Sequence, residues 1–333
     1  MEQHISEHPL VSIVVPVYNN EERIACTLEG LVTQDYPNIE IIVVDDASID
    51  KTEETTRNLL KGGVRDFDVI THEKNRGVAA ARNTGLNAAR GKYVWFCDSD
   101  DLMEKNFVSL LCDKAEQVQA DIVFCGHKDY YEEDNRIVEH PIKFSRYSSA
   151  DDYIAAWVRG RFWCGVWCCL FRKKFLDDAR LRFIEGCPLG EDSEFMFKAF
   201  VSGERISFIK QPLYIYVHHS NQQTTIRRGE RKMFHHNMLS RLRQARYIIK
   251  HGTEFQRDYM LHFFIPETYI KKLTRSAREK DRMSYELQLR TMRHRKAKEL
   301  LLSTARFFHI APTLFFKAIM LLYFPKTYYR LRS

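Results

Sequence analysis

From Leu10 to about Cys125 the sequence alternates between two hydrophobic periods, and that alternation restricts the chain to few architectures. Val11-Ser12-Ile13-Val14-Val15 is a short β-branched run closed by Pro16, and Glu21–Thr33 then places Ile24, Leu28, Leu31 and Val32 at helical spacing. The strand–loop–helix unit recurs. Ile39–Val44 is a second apolar run, followed by a helix from near Asp50. Phe67–Thr71 precedes the helix Val78–Ala89, Lys92–Cys97 precedes a helix ending near Val118, and Ile122–Cys125 is a fifth run. Strands apolar throughout and separated by helices predict a mostly parallel central sheet covered on both faces, an α/β fold.

In such sheets ligands bind beyond the carboxyl ends of the strands. The polar residues gather there: Tyr18 and Asn19 after the first strand, Asp45 and Asp46 after the second, His72 and Asn75 after the third, and Asp98-Ser99-Asp100-Asp101 after the fourth. Three carboxylates in four residues repel one another unless a cation sits among them, and oxygen ligands suit Mg²⁺ or Mn²⁺ better than zinc. The competing reading is helix capping, since Asp is favoured at an N-cap and in a first turn.

Past Gly126 the alternation stops. A hairpin-like stretch (Tyr130–His140), an aromatic, cysteine-rich segment (Trp157–Phe171), a helix Asp192–Val201 and two strand-like runs (Ile206–Ile209 and Leu213–His218) follow. From about Arg228 helical spacing dominates, which places a domain boundary near 226, with residues 1–226 as an α/β domain and 227–333 as a helical, basic C-terminal region.

Charge divides at the same place. Residues 1–226 carry 26 Lys+Arg against 36 Asp+Glu, net −10, and residues 227–333 carry 25 against 8, net +17. A basic region on an acidic body calls for a polyanionic partner: nucleic acid, anionic lipid or an acidic polymer. With 333 residues, 44% of them hydrophobic, the chain can bury one large core or two ordinary ones, which excludes a disordered or fibrous protein. The eight cysteines lie mostly inside apolar runs. Cys164, Cys168 and Cys169 lack the second pair and nearby His that a zinc site would use, so they read as buried thiols in a reducing cytoplasm. Met1–Pro9 has no signal-peptide core, and Phe307–Phe324 is interrupted by His309, Pro312 and Lys317, a poor membrane span.

Five motifs stand in series: Ser12-Ile13-Val14-Val15-Pro16-Val17-Tyr18-Asn19; Val44-Asp45-Asp46-Ala47-Ser48; Asn75-Arg76-Gly77 with Ala81-Arg82-Asn83; Phe96-Cys97-Asp98-Ser99-Asp100-Asp101; and Gly190-Glu191-Asp192. Their order and spacing over residues 10–220 resemble the family 2 glycosyltransferases of GT-A fold, inverting enzymes of bacterial polysaccharide synthesis. The resemblance implies transfer of a sugar from a nucleotide-sugar, usually a UDP-sugar, to a hydroxyl of a glycan or lipid-linked glycan acceptor, with a divalent cation.

Carried over residue by residue, it puts Pro16 and Tyr18 beside the base and ribose, Asp46 on the base, Asp45 in support of the turn, and Asn75 and Arg82 at the nucleotide and its phosphates. It puts Asp98, with Ser99 beside it, at the ribose or metal, Asp100 on the metal (Mg²⁺ or Mn²⁺), and Asp192 at the general base with Glu191 as runner-up. These roles suit the residue types: a guanidinium forks onto phosphate oxygens, and an inverting displacement needs a base on the acceptor side. Trp163, Trp167 and Glu191 are acceptor-side candidates, with core packing the alternative for the tryptophans. Where the family often has Arg two residues after Tyr214, this chain has Tyr216; either His218 or His219 takes that place, or both are simply partly exposed.

The basic region, with Leu314, Phe315, Phe316, Ile319, Met320, Leu322 and Tyr323 near its end, fits a helix lying in an anionic membrane surface. Combined with the resemblance, this places the chain at the inner face of the cytoplasmic membrane. Two other classes fit the sequence less well. A nucleic-acid-binding protein would have to overcome the acidic strand ends and shows no recognition module. A nucleotidyltransferase would carry a Gly-rich basic loop after the first strand, where Pro16-Val17-Tyr18-Asn19-Asn20 has neither Gly nor Lys.

Overall fold

The computed structural model describes residues 8–61, 65–143, 149–158, 162, 164–187, 190–219, 240, 243–260 and 312–332, with a few single positions between 266 and 302. The chain divides into two compact units, residues 1–240 and 241–333. The expected boundary at 226 lies outside the described residues, as does Trp163.

In the first unit the apolar runs form strands β1 (Val11–Val17), β2 (Ile39–Asp45), β3 (Asp66–Thr71) and β4 (Tyr93–Phe96), in spatial order β3-β2-β1-β4 and all parallel. Helices α1 (Ile24–Val32), α2 (Thr52–Lys61) and α3 (Val78–Ala88) are the crossovers that parallel pairing requires. Every residue of β1 and β2 is buried. On β3, at the sheet's edge, only Val69 is, so the all-apolar expectation fails there because one side of an edge strand faces water.

The sheet continues beyond β4 with mixed direction. After the two-residue β5 (Leu102–Met103) and α4 (Phe107–Val118) come β6 (Ile122–Tyr131) and β7 (Arg136–His140), the expected hairpin. Then follow α5 (Ala150–Val158), β8 (Cys169–Arg172), α6 (Lys173–Asp178), α7 (Glu191–Ser202) and β9 (Ile206–His218). Strand β8 inserts antiparallel between β4 and β6, and β9 runs parallel to β6. The two runs expected after α7 are therefore one strand. Its register against β6 jumps from Cys125↔Ile209 to Gly126↔Pro212, an irregularity at the proline that lacks a ladder donor. A Cβ on Gly126 would come 2.7 Å from the His140 carbonyl oxygen, which explains glycine at the kink.

Aromatic side chains join the layers. Phe183 stacks on Phe195 of α7 with ring centroids 4.0 Å apart, and both meet Phe96 of β4 edge-on. Phe124 of β6 gathers Tyr153, Phe162 and Phe200. Cys164, Cys168 and Cys169 are buried, as their apolar setting predicted.

In the second unit, Thr253 opens the short helix Glu254–Tyr259 with a reciprocal capping box to Gln256. Near its end are helices Pro312–Tyr323 and Pro325–Arg332, and the Tyr328 hydroxyl lies 2.6 Å from Thr274 Oγ1. Among the described residues no helix is long and apolar enough to cross a membrane.

Candidate active site

The carboxyl ends of β1, β2 and β4 are tied together by short polar side chains. Asn20 Nδ2 donates to the carbonyl (2.9 Å) and hydroxyl (3.1 Å) of Ser99, and its backbone N–H donates to Thr52 Oγ1. Asn19, held at φ 47°, accepts the Ile49 amide on its side-chain oxygen and donates its own amide to Ser48. Thr27 of α1 donates to the Ser99 and Asp101 carbonyls. Within this frame Pro16 is buried in β1, and Tyr18 stands 37% exposed just beyond it.

The two aspartates ending β2 divide their work. Asp45 Oδ1 accepts the Ser48 amide at 2.9 Å, which closes the turn as expected. Asp46 is buried, and its oxygens accept the backbone amides of Arg76 (2.9 Å) and Gly77 (2.7 Å), while His72 Nδ1 lies 2.7 Å away. Asp46 therefore anchors the loop after β3 and the start of α3. Asn75, in that loop, is exposed.

Arg82 of α3 is 5% exposed. Its Nη2 donates to Asp98 Oδ1 at 2.7 Å, its Nη1 lies 3.6 Å from Glu191 Oε1, and its guanidinium sits 5.3 Å from the centre of the Phe183 ring. Asn83 holds Phe183 in place by exchanging two 2.9 Å hydrogen bonds with its backbone. Burial, together with the charge of Asp100, raises the Asp98 carboxyl above the usual range despite Arg82. Burial and the neighbouring Asp192 push Glu191 up to about 7. Gly190, at φ 81°, starts α7, so Glu191 and Asp192 fall in its first turn; Asp192 makes no N-cap bond and accepts the Ser193 amide at 2.6 Å.

On the other side of the same strand end, His219 Nε2 lies 3.0 Å from Asp100 Oδ2, and its buried Nδ1 has no partner. Asp101 points inward instead. It is fully buried, accepting from the Tyr214 hydroxyl and the Val217 amide, both at 2.8 Å, which ties the acidic turn to β9. The donor set fits a divalent cation: two hard carboxylates in a crowded acidic turn, an imidazole against one of them, and an orphaned ring nitrogen beside it.

One expectation is corrected. Trp167 is 4% exposed, stacked on Tyr214 with centroids 4.5 Å apart, and its carbonyl accepts Trp95 Nε1, so it is core and offers no face to an acceptor. Sequence reasoning missed Asn20, Thr27 and Tyr214, which touch the acidic turn from three separate elements. No spacing rule announces them, because each is defined by a long-range contact.

A mixed sheet whose β3-β2-β1-β4 half is parallel, with an acidic, arginine-buttressed strand end, defines the class of protein. Residues 12–179 match the family described as Glycosyl transferase family 2, and the chain belongs to that family. It is 35% identical over 229 residues to "Uncharacterized glycosyltransferase EpsJ" of Bacillus subtilis (strain 168), spanning 66% of this chain and 64% of that protein. It is 34% identical over 131 residues to the Escherichia coli "UDP-Glc:alpha-D-GlcNAc-diphosphoundecaprenol beta-1,3-glucosyltransferase WfaP", spanning 39% of this chain and 49% of that protein. The fold is shared with S. aureus TarS 1-349, solved in complex with UDP-GlcNAc, at a TM-score of 0.69 and 18% identity over 97% of this chain and 93% of that one.

Proposed function

We propose that this chain is an inverting glycosyltransferase of polysaccharide synthesis. It moves a hexosyl or N-acetylhexosaminyl group from a UDP-sugar to a hydroxyl of a glycan or lipid-linked glycan. The observation that carries the reading is the convergence of Arg82, Asp98 and Glu191 beside Asp100 and His219 at the carboxyl end of β4. The UDP-GlcNAc in the TarS complex and the UDP-Glc in the name of WfaP support a uridine donor.

In this reading Pro16 and Tyr18 flank the base and ribose. Asp46 acts there by fixing the Arg76–Gly77 turn, and Asn75, exposed in the same loop, reaches the nucleotide. Arg82 meets the diphosphate, with Glu191 and Asp98 setting its fork, and Ser99 keeps the turn in register through Asn20. Asp98, Asp100 and His219 would hold Mg²⁺ or Mn²⁺, which supplies charge neutralisation for the departing diphosphate. Asp192 takes the proton of the acceptor hydroxyl as its oxygen bonds to the anomeric carbon; the bond to the diphosphate oxygen breaks on the opposite face, which inverts the centre.

The second unit docks the enzyme on an anionic membrane at its cytoplasmic face. Phe316, Tyr323 and Leu331 are more than half exposed on helices that also carry Lys317, Lys326 and Arg330, as is Phe324 between them. No nucleic-acid partner is part of this reading.

A panel of nucleotide-sugars, each scored for metal-dependent hydrolysis and thermal stabilisation of the protein, tests the proposal without needing an acceptor. A UDP-sugar is expected to act and EDTA to abolish the effect; a panel with no response in either assay overturns the reading. Sedimentation with phosphatidylglycerol vesicles tests docking: the full chain is expected to bind and a chain truncated near Arg306 to lose binding.

A further inference from the structure

Strands β6, β7 and β9 present a second group of metal-ligating side chains. In the β6–β7 ladder His127 stands opposite His140, and two residues along β6 comes Asp129 on the same face. In the β6–β9 ladder Asp129 stands opposite Tyr216, so His218 reaches the same face diagonally. Period-2 geometry thus brings three histidines around one carboxylate.

The distances follow. Asp129 Oδ2 lies 2.8 Å from His140 Nε2, and Asp129 Oδ1 lies 3.0 Å from His218 Nε2. The His127 and His140 rings stack with centroids 4.7 Å apart. One donor atom from each of His127, Asp129 and His140 lies within 4.8 Å of the other two, and among the described residues this is the one group of three or more such side chains so close. Ligand atoms of a tetrahedral zinc site stand about 3.3 Å apart, so small side-chain rotations would close the group on an ion.

We propose that His127, Asp129 and His140 form a binding site for a divalent first-row transition metal, Zn²⁺ above all. Two imidazoles and one carboxylate select such an ion over Mg²⁺, which prefers all-oxygen shells. His218 serves as the outer partner that orients the carboxylate, and is itself fixed by stacking on Tyr131 at 4.4 Å. The ion clasps β7 to the β6–β9 pair. The fourth position is open to water. This site shares no ligand with the acidic turn at Asp98 and Asp100, and its existence does not depend on the proposed sugar transfer.

The test uses the full chain stripped with a chelator, and Zn²⁺ alone as ligand, in the Asp100→Asn background so that the acidic turn lacks one of its proposed ligands. One equivalent of Zn²⁺ is expected to bind and to raise the melting temperature, and Co²⁺ substituted for it should give the visible bands of a four-coordinate site. His140→Ala, at a half-exposed position that tolerates truncation, should lose the equivalent, the thermal shift and the bands together. No Zn²⁺ equivalent in the Asp100→Asn protein, or an equivalent that survives His140→Ala with unchanged affinity, overturns the proposal.

Discussion

The buried guanidinium of Arg82 and the partly buried carboxylate of Asp98 form an ion pair, 2.7 Å from Nη2 to Oδ1, that joins the crossover helix α3 to the end of β4. The guanidinium also faces Glu191 at 3.6 Å, so one cation holds two elements carrying proposed site residues. Removing it leaves two partly buried carboxyls without their counter-charge. Arg82→Met is expected to destabilise the protein by about 3 kcal/mol in urea titration, the cost typical of breaking a buried pair by deleting one partner. Arg82→Lys keeps the charge without the fork, so its loss should be smaller while donor binding still weakens.

Asp192 and Glu191 are adjacent, yet the structure separates their duties: Glu191 faces Arg82, and Asp192 bonds only the neighbouring Ser193 amide. Asp192→Asn is therefore expected to keep nucleotide-sugar binding in a thermal-shift assay while transfer falls by about 10²–10⁴-fold, the span of a general base. Near-normal turnover in that variant would remove Asp192 from the role. Glu191→Gln should instead alter donor affinity.

Glu191 also predicts a pH dependence. Its carboxyl sits at about 7 in the folded chain because burial and Asp192 oppose ionisation, whereas an unfolded Glu titrates near its ordinary value of about 4.3. The folded state then holds the extra proton between those values, so this group's stabilisation is full below the unfolded value and is lost as pH rises through about 7. For the metal-free protein, melting temperatures of wild type and Glu191→Gln should converge at low pH and separate in favour of Gln above neutrality. A difference that does not change with pH would contradict the assignment.

Trp167 separates a core role from an acceptor role. Burial against Tyr214 and Tyr216 makes Trp167→Ala a cavity mutation expected to cost about 3–5 kcal/mol in chemical denaturation. At temperatures where the variant stays folded, its acceptor KM should match that of the wild type. A raised KM with unchanged stability would restore the acceptor reading.

The parallel half of the sheet was legible because β1, β2 and β4 are buried on both faces and therefore show unbroken apolar runs. Asp98, Asp100 and Arg82 were legible as motif members, and the structure brings them to one strand end. Other parts were not. Strand β8 reads as part of a cysteine-rich aromatic stretch, and its antiparallel insertion between β4 and β6 depends on contacts distant in sequence. Asp101 looks like its neighbours but is turned inward by Tyr214 and Val217, a difference that four consecutive letters cannot encode. Trp167 had an ambiguity of another kind, since a stacking platform and a core residue have the same composition.

Gly85 offers a test of packing against propensity. It lies within α3, where alanine is the better helix former by about 1 kcal/mol, so on local grounds Gly85→Ala should stabilise. The helix, however, packs directly on β1: a Cβ at Gly85 would fall inside the contact radius of Val14 Cγ1, and Val14 is fully buried with a stiff, β-branched side chain. Overpacking of this kind costs about 1–3 kcal/mol, which cancels or exceeds the helical gain. Because α3 also carries Arg82, any outward shift of the helix moves the guanidinium away from Asp98. Gly85→Ala is thus expected to lower both the melting temperature and the affinity for the nucleotide-sugar. The double variant Gly85→Ala/Val14→Ala, which relieves the clash, should recover the affinity while remaining less stable because of the lost valine methyls.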